Sequence, residues 1–232
     1  MASRTNLVRR TAAVGTAATL ALALAACGSS SKGSKTQPTT STVPSASADS
    51  SITVPAAIKS KGTITVATDP SYAPNEFFGS DNKTIIGMDV DLANAIGQTL
   101  GLKVNVVQAT FANIIPGLAA GKYDLSLSSF TDSKEREKTV DFVTYFTAGT
   151  SLLVKKGNPG NLTPDTLCGK KVAVEKGTTQ EDPDVPTRSK ACTTAGKAAI
   201  TRLSYDDESQ ANLALSSGRA DPNSNGSPDV AM

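Results

Sequence analysis

From residue 61 onward the chain switches between two hydrophobic periods, two residues and about 3.6, and this alternation limits its folds more than any other feature. "GTITVAT" (62–68) alternates apolar and polar, with Ile64 and Val66 on one face of a strand. "MDVDLANAIGQTLG" then sets Leu92, Ile96 and Leu100 four apart, a helix ending before Gly101. "LKVNVVQ" (102–108) reads as a strand, "FANIIPGLAAG" as a short helix stopped by Gly121, and "KYDLSLSS" as a third strand. "SLSSFTDSKEREKTVDF" (126–142) opens with hydroxyl residues and leads into a charged stretch expected to be helical, followed by a strand in "TSLLVKK" (150–156). "TPDTLCG" carries an N-cap threonine and a proline at the first helical position. "KKVAVEKG" is a strand, "TTQEDPDVPTRSKACTTAG" a proline-interrupted helix, and "DDESQANLALSSG" a last amphipathic helix. Such an order predicts an α/β protein with largely parallel sheets.

Parallel sheets bind ligands beyond the carboxyl ends of their strands, where loops meet helix N-termini. Three groups of polar residues fall at such ends. Asp69 and Tyr72 follow the first strand; Ser128, Ser129 and Thr131 follow the third; Thr178, Thr179 and Gln180 follow "KKVAVEKG". Hydroxyls and backbone N–H groups at helix starts stabilise an anion. Arg136, five residues past Thr131, carries a guanidinium that can fork onto a carboxylate. Alone, flanked by Lys134, Glu135, Glu137 and Lys138, it would read as a surface ion pair.

Composition removes several other classes of function. Lys plus Arg is 23 and Asp plus Glu is 21, a net charge of +2, so no electrostatic case exists for nucleic acid. Histidine is absent, which excludes His-based triads and general bases and most zinc sites. No metal or cofactor is expected.

The N-terminus is a targeting segment. Arg4, Arg9 and Arg10 precede an apolar run ending at Ala26, too short to span a membrane comfortably and suited to export. "LAAC", Leu24 to Cys27, resembles the lipobox of bacterial lipoproteins, in which the cysteine is lipidated and becomes the new N-terminus. Residues 1–26 are thus read as a lipoprotein signal peptide; an ordinary signal peptide cut near an Ala-x-Ala site is the alternative. Residues 27–51, rich in Ser, Thr, Gly and Pro, cannot bury a core and read as a flexible tether. A tether of that length spans roughly 25–30 Å root-mean-square. With Cys27 lipidated, Cys168 and Cys192 remain as an even pair in an exported protein and are expected to form a disulfide, two free thiols being the alternative.

Four pieces, "ATDPSYAPNEF", "GMDVDLANAIGQTLG", "FANIIPGLAAGKYDLSLSSFTDSKEREKTVDF" and "GKKVAVEKGTTQE", resemble in order the polar-amino-acid-binding solute-binding proteins (family 3) of ABC transporters. The likeness runs from about residue 61 to 221. It implies a type II periplasmic-binding-protein-like fold: two α/β lobes joined by a hinge, here residues 52–149 and 150–232, closing on an amino acid. It also implies a monomer that is not an enzyme, lipid-anchored at Cys27 on the outer face of the cell membrane and serving a membrane permease. By the resemblance, Arg136 would clamp the ligand α-carboxylate, helped by Thr131 and by Thr179 of the other lobe. Ser129 and the backbone at Ser128 would serve the α-ammonium. Asp69, Tyr72 and Phe111 would line the side-chain pocket, and Asp69 could instead cap the following turn.

The chain also departs from the family pattern. After "SSGRAD" an apolar strand is expected, delivering an aspartate; "PNSNGSPDVAM" stands there instead, with Gly226 at the aspartate position. Residues 222–232 are read as an aberrant tail, and both lobes as incomplete. Asn75 stands where an aromatic or apolar residue is usual. Two further readings follow: a truncated, non-binding remnant, and an enzyme on the same fold. The second needs an acid/base pair of carboxylates in the cleft, and none is evident from the sequence.

Overall fold

A computed structural model of the chain describes residues 48–217 and 230–231. The first half contains α1 (Ala56–Lys61), β1 (Thr63–Thr68), β2 (Ser71–Tyr72), β3 (Glu76–Phe78), β4 (Ile85–Ile86), α2 (Met88–Leu100), β5 (Lys103–Gln108), α3 (Phe111–Ala119) and β6 (Leu125–Ser126). The second contains β7 (Leu153–Val154), β8 (Lys171–Glu175), α4 (Val185–Thr194), β9 (Thr201–Tyr205), α5 (Glu208–Ser217) and β10 (Val230–Ala231). A single 3₁₀ turn, Arg136–Lys138, lies between the halves. Residues 1–47, which include the expected signal peptide, Cys27 and most of the expected tether, lie outside the described residues.

Each half has a mainly parallel sheet between helices, with β7 the antiparallel member of the second, and the strand period explains both. In the first sheet, ordered β5-β1-β6, β1 pairs in parallel with β5 and with β6. Ile64 and Val66 of β1 pack with Ala93, Leu92, Ile96 and Leu100 of α2. Ala67, one residue on and so on the opposite face, packs with Ile114 of α3 and with Tyr123. In the second sheet, ordered β7-β10-β8-β9, Val172 and Val174 face α4 through Val185 and Cys192. Ala173 faces α5 through Ala211, Ala214 and Leu215. Strands buried on both faces read as near-continuous apolar runs, as "VAV" does here. Gly97 of α2 lets that helix lie close on β5, because a Cβ there would sit 2.3 Å from the Val104 side chain.

Several expected elements change form. The charged stretch around Arg136 is one 3₁₀ turn rather than a helix. It lacks an apolar stripe to dock, and helices in proteins are held mostly by such packing. "TPDTLCG" closes on itself as a turn, with the Thr166 amide donating to the Thr163 carbonyl at 3.0 Å and the Thr163 amide to Thr166 Oγ1 at 2.8 Å. The region after Thr179 kinks at Asp182, whose backbone is extended, before α4 begins. In the tail, Val230–Ala231 forms β10, parallel to β8 and antiparallel to β7, so the place between those strands is occupied. Residues 222–229, with Gly226, lie outside the described residues.

Cys168 and Cys192 are joined by a disulfide, Cα atoms 5.4 Å apart, tying the approach to β8 to α4. Both cysteines sit at the apolar cluster of Leu167, Val172 and Ile200.

Candidate functional site

The three polar groups expected at strand ends meet where the two halves face each other. β1 ends at Thr68 and hands on to Asp69, which is 3% exposed. The Asp69 amide donates to Ser128 Oγ at 2.9 Å, so the ends of the two neighbouring strands are tied side by side. Asp69 Oδ2 accepts the Phe111 amide at 2.9 Å, satisfying a free N–H in the first turn of α3. Its capping contact is therefore made, while burial raises its pKa.

Arg136 projects from its 3₁₀ turn into this meeting point. Nη1 donates to the Thr131 carbonyl at 2.7 Å, and Nη2 reaches the second half, donating to the Gly177 carbonyl at 2.8 Å. The guanidinium lies over Phe111 and Phe130, at 5.6 and 5.0 Å from their centroids. Those two rings stack at 4.0 Å, and Tyr72 stands 6.2 Å from Phe111. A half-buried guanidinium held by carbonyls and ring faces, not by a carboxylate, keeps its affinity for an anion. Burial lowers its pKa.

Ser128 is buried, and Ser129 has a positive φ of 49°. The Ser129 amide donates to Asp89 Oδ2 at 3.3 Å, and its hydroxyl donates to Glu76 Oε2 at 3.3 Å. Asn75 donates to Ser129 Oγ at 2.9 Å, which gives the polar residue at this position a partner. Tyr145, from the chain leading to the second half, donates to Asp89 Oδ2 at 2.9 Å. Behind the serine loop stands a fully buried carboxyl pair, Glu76 and Asp89; burial first, then the Asp89 charge, raise the pKa of Glu76.

On the second half, Thr178 Oγ1 donates to the Glu175 carbonyl at 2.7 Å and accepts the Glu181 amide at 3.2 Å, so it shapes the turn. Thr179 Oγ1 donates to Gln180 Oε1 at 3.3 Å, and Gln180 Nε2 donates to Thr150 Oγ1 at 3.1 Å. Gln180 thus faces the crossing between halves. Gly177, with φ +80°, packs so closely on α3 that a Cβ would sit 2.8 Å from the Ala112 Cα.

Three residues of this region were not singled out by motif: Phe130, Glu175 and Glu208. Glu175 is fully buried, and its Oε2 accepts the Tyr72 hydroxyl from across the cleft. Burial pushes the Glu175 carboxyl up to about 9, against the lowering effect of the Tyr72 hydroxyl; Asp69 nearby raises it further. Burial lifts Glu208 to about 7, and its amide donates to Ser71 Oγ at 3.2 Å. Asp69 and Glu175, both buried, lie close enough for each to act on the pKa of the other. A glutamate ending the apolar run "VAV" was the visible signal.

A cavity of about 780 Å³ runs along β6 and under Phe142, Tyr145 and Phe146, and it meets this site at Ser128, Ser129, Phe130 and Thr131. It is mostly apolar and does not include Arg136, Asp69 or Glu175. The polar chemistry is concentrated at the strand ends instead.

Residues 64–214 match the family model of bacterial extracellular solute-binding proteins, family 3. The chain belongs to this family. It is 37% identical over 168 residues to the arginine-binding protein ArgT of Corynebacterium glutamicum, covering 72% of this chain and 55% of that protein. It is 35% identical over 127 residues to the L-cystine-binding protein TcyJ of Escherichia coli, covering 54% of this chain and 47% of that protein. The chain therefore spans about half the length of these curated relatives. Among solved structures it is similar to an ancestral amino acid-binding protein described as a precursor of cyclohexadienyl dehydratase. That match has a TM-score of 0.61 and 34% identity, and covers 75% of this chain and 71% of that one. The fold is that of the type II periplasmic amino-acid-binding proteins.

Proposed function

We propose that the protein captures an L-α-amino acid outside the cytoplasm and presents it to the membrane permease of an ABC transporter, without turnover. One observation carries this reading most directly. The Arg136 guanidinium bridges the two halves through carbonyls of Thr131 and Gly177. A ligand carboxylate exchanging for those carbonyls would gain two charge-assisted hydrogen bonds. Thr131 and Thr179 flank that position, Ser128 and Ser129 serve the α-ammonium, and Tyr72, Phe111 and Asp69 border the side chain. Thr178 and Gln180 hold the second-half turn in place. Cys27 anchors the protein as a lipoprotein through the tether, and the protein acts as a monomer.

A melting-temperature screen with free L-amino acids and their α-amides tests this reading. A ligand that binds only the folded state raises the melting temperature. The free acid of at least one amino acid should do so, and its α-amide, which lacks the carboxylate, should not. Equal shifts for acid and amide would remove Arg136 from the carboxylate role.

A further inference from the structure

Behind the serine loop, Glu76 and Asp89 leave two oxygens to be accounted for. Glu76 opens β3 and is fully buried; Asp89, in the first turn of α2, is 1% exposed. One oxygen of each holds Ser129. Glu76 Oε2 accepts the Ser129 hydroxyl at 3.3 Å, and Asp89 Oδ2 accepts the Ser129 amide at 3.3 Å and the Tyr145 hydroxyl at 2.9 Å. The other two oxygens, Glu76 Oε1 and Asp89 Oδ1, are buried with no donor of this kind. The two carboxyls face each other within hydrogen-bonding reach, with the Ser128 hydroxyl also beside Glu76. Two carboxylates so placed do not both ionise; a proton held between them gives the orphan oxygens a bond and halves the buried charge. Burial and the Asp89 charge keep that proton on Glu76.

The consequence falls on Ser129. A hydroxyl has one proton to donate and two lone pairs to accept with. With the Glu76 proton directed at Asp89, Oε2 can only accept, so the Ser129 proton points at Glu76. Asn75 Nδ2 donates to Ser129 Oγ at 2.9 Å and takes one lone pair. One lone pair remains. The backbone agrees: Ser129 has a φ of 49°, which a residue with a side chain keeps only where its surroundings fix it, and Asp89 holds its amide.

We propose that Glu76 and Asp89 are positioning residues: sharing one proton, they fix Ser129 as a hydrogen-bond acceptor for the ligand α-ammonium without touching the ligand. The inference rests on the amino-acid-binding reading above and adds the pair that gives its serine a direction. A Glu76 proton turned to Ser129 instead would send the serine proton outward, against the ammonium. The single negative charge left on the buried pair is weakly screened and favours a cation across the loop. Tyr145, by donating to Asp89, keeps that charge on Asp89.

Calorimetric titration with the amino acid that gives the largest shift in the melting screen, and with its α-deamino acid, reads the direction of Ser129. For L-arginine the counterpart is 5-guanidinopentanoic acid, and for L-glutamine it is glutaramic acid. Each keeps the carboxylate and side chain and lacks only the ammonium. The parent should bind the amino acid at least about tenfold more tightly than its counterpart. Glu76→Leu, which releases the Ser129 proton, should bring that ratio within about threefold of unity. Glu76→Gln should recover most of it, because its carboxamide donates to Asp89 and accepts from Ser129 as the protonated acid does. Infrared spectra test the shared proton even where Glu76→Leu does not fold: the parent at neutral pH should show a carboxylic-acid carbonyl band that Glu76→Gln lacks. A full ratio in Glu76→Leu, a ratio lost equally in both variants, or spectra without that difference would overturn the inference and leave the amino-acid-binding reading standing. A parent ratio near unity would overturn it together with the ammonium role of Ser129. A parent that responds to no amino acid would overturn both readings.

Discussion

At Gly177 the two halves approach closely, and its conformation permits that approach. Its φ of +80° lies in the left-handed region, and an added Cβ would meet the Ala112 Cα at 2.8 Å. Gly177→Ala should cost about 1–2 kcal/mol from the backbone conformation alone. The clash with α3 should also hold the halves apart, so ligand affinity should fall by more than stability does. A chemical-denaturation curve and a titration on the same variant check both; unchanged affinity would show that the contact does not form when ligand binds. Phe111 and Phe130 act at the same scale, since their stacked rings carry the Arg136 guanidinium. Phe130→Ala should weaken binding by about 0.5–2 kcal/mol through the lost cation–π contact, read by calorimetry.

At the scale of elements, the disulfide holds α4 to the approach of β8 across a sequence separation of 24. Closing a loop of that size is worth about 3–4 kcal/mol in the chain-entropy model. A reductant should therefore lower the melting temperature by several degrees, and the double variant Cys168→Ala, Cys192→Ala should no longer respond to reductant. Long elements were legible in the sequence because their periods repeat. The four-residue spacing of Leu92, Ile96 and Leu100 marks α2, which ends at Leu100 as the following Gly101 suggests. Alternation in "TITV" marks β1. The small antiparallel sheet β2-β3-β4 was not legible, because strands of two or three residues show no period. β9, "TRLSY", was missed because its only partner among the described residues is β8, so the strand is half-covered and its residues are mixed. Hydroxyl clusters pointed to the site because strand ends of a parallel sheet converge. Glu175 and Glu208 did not stand out, since their proximity to Asp69 depends on how two separate halves meet.

The molecule holds several buried carboxyls, and this sets a pH dependence. Glu175 lies near 9 in the folded state against about 4.5 unfolded, and Glu208 near 7; Glu76 is raised as well. Between those values the folded protein holds more protons than the unfolded chain, so stability falls as pH rises. The loss should approach about 1 kcal/mol per pH unit for fully buried Glu175 between pH 5 and 9. Melting temperatures taken at pH 5, 7 and 9 should decrease in that order, and Glu175→Gln should flatten the slope. A melting temperature that rose steadily from pH 5 to pH 9 would contradict the buried-carboxyl account. The central claim is that one arginine, set between two α/β halves, holds the carboxylate of an amino acid. Calorimetric titration of the parent and of Arg136→Met with the best-binding amino acid tests it most directly. Binding in the parent and a loss of about 2–5 kcal/mol in the variant, with folding intact, is the predicted result; equal affinity of the two proteins would contradict it.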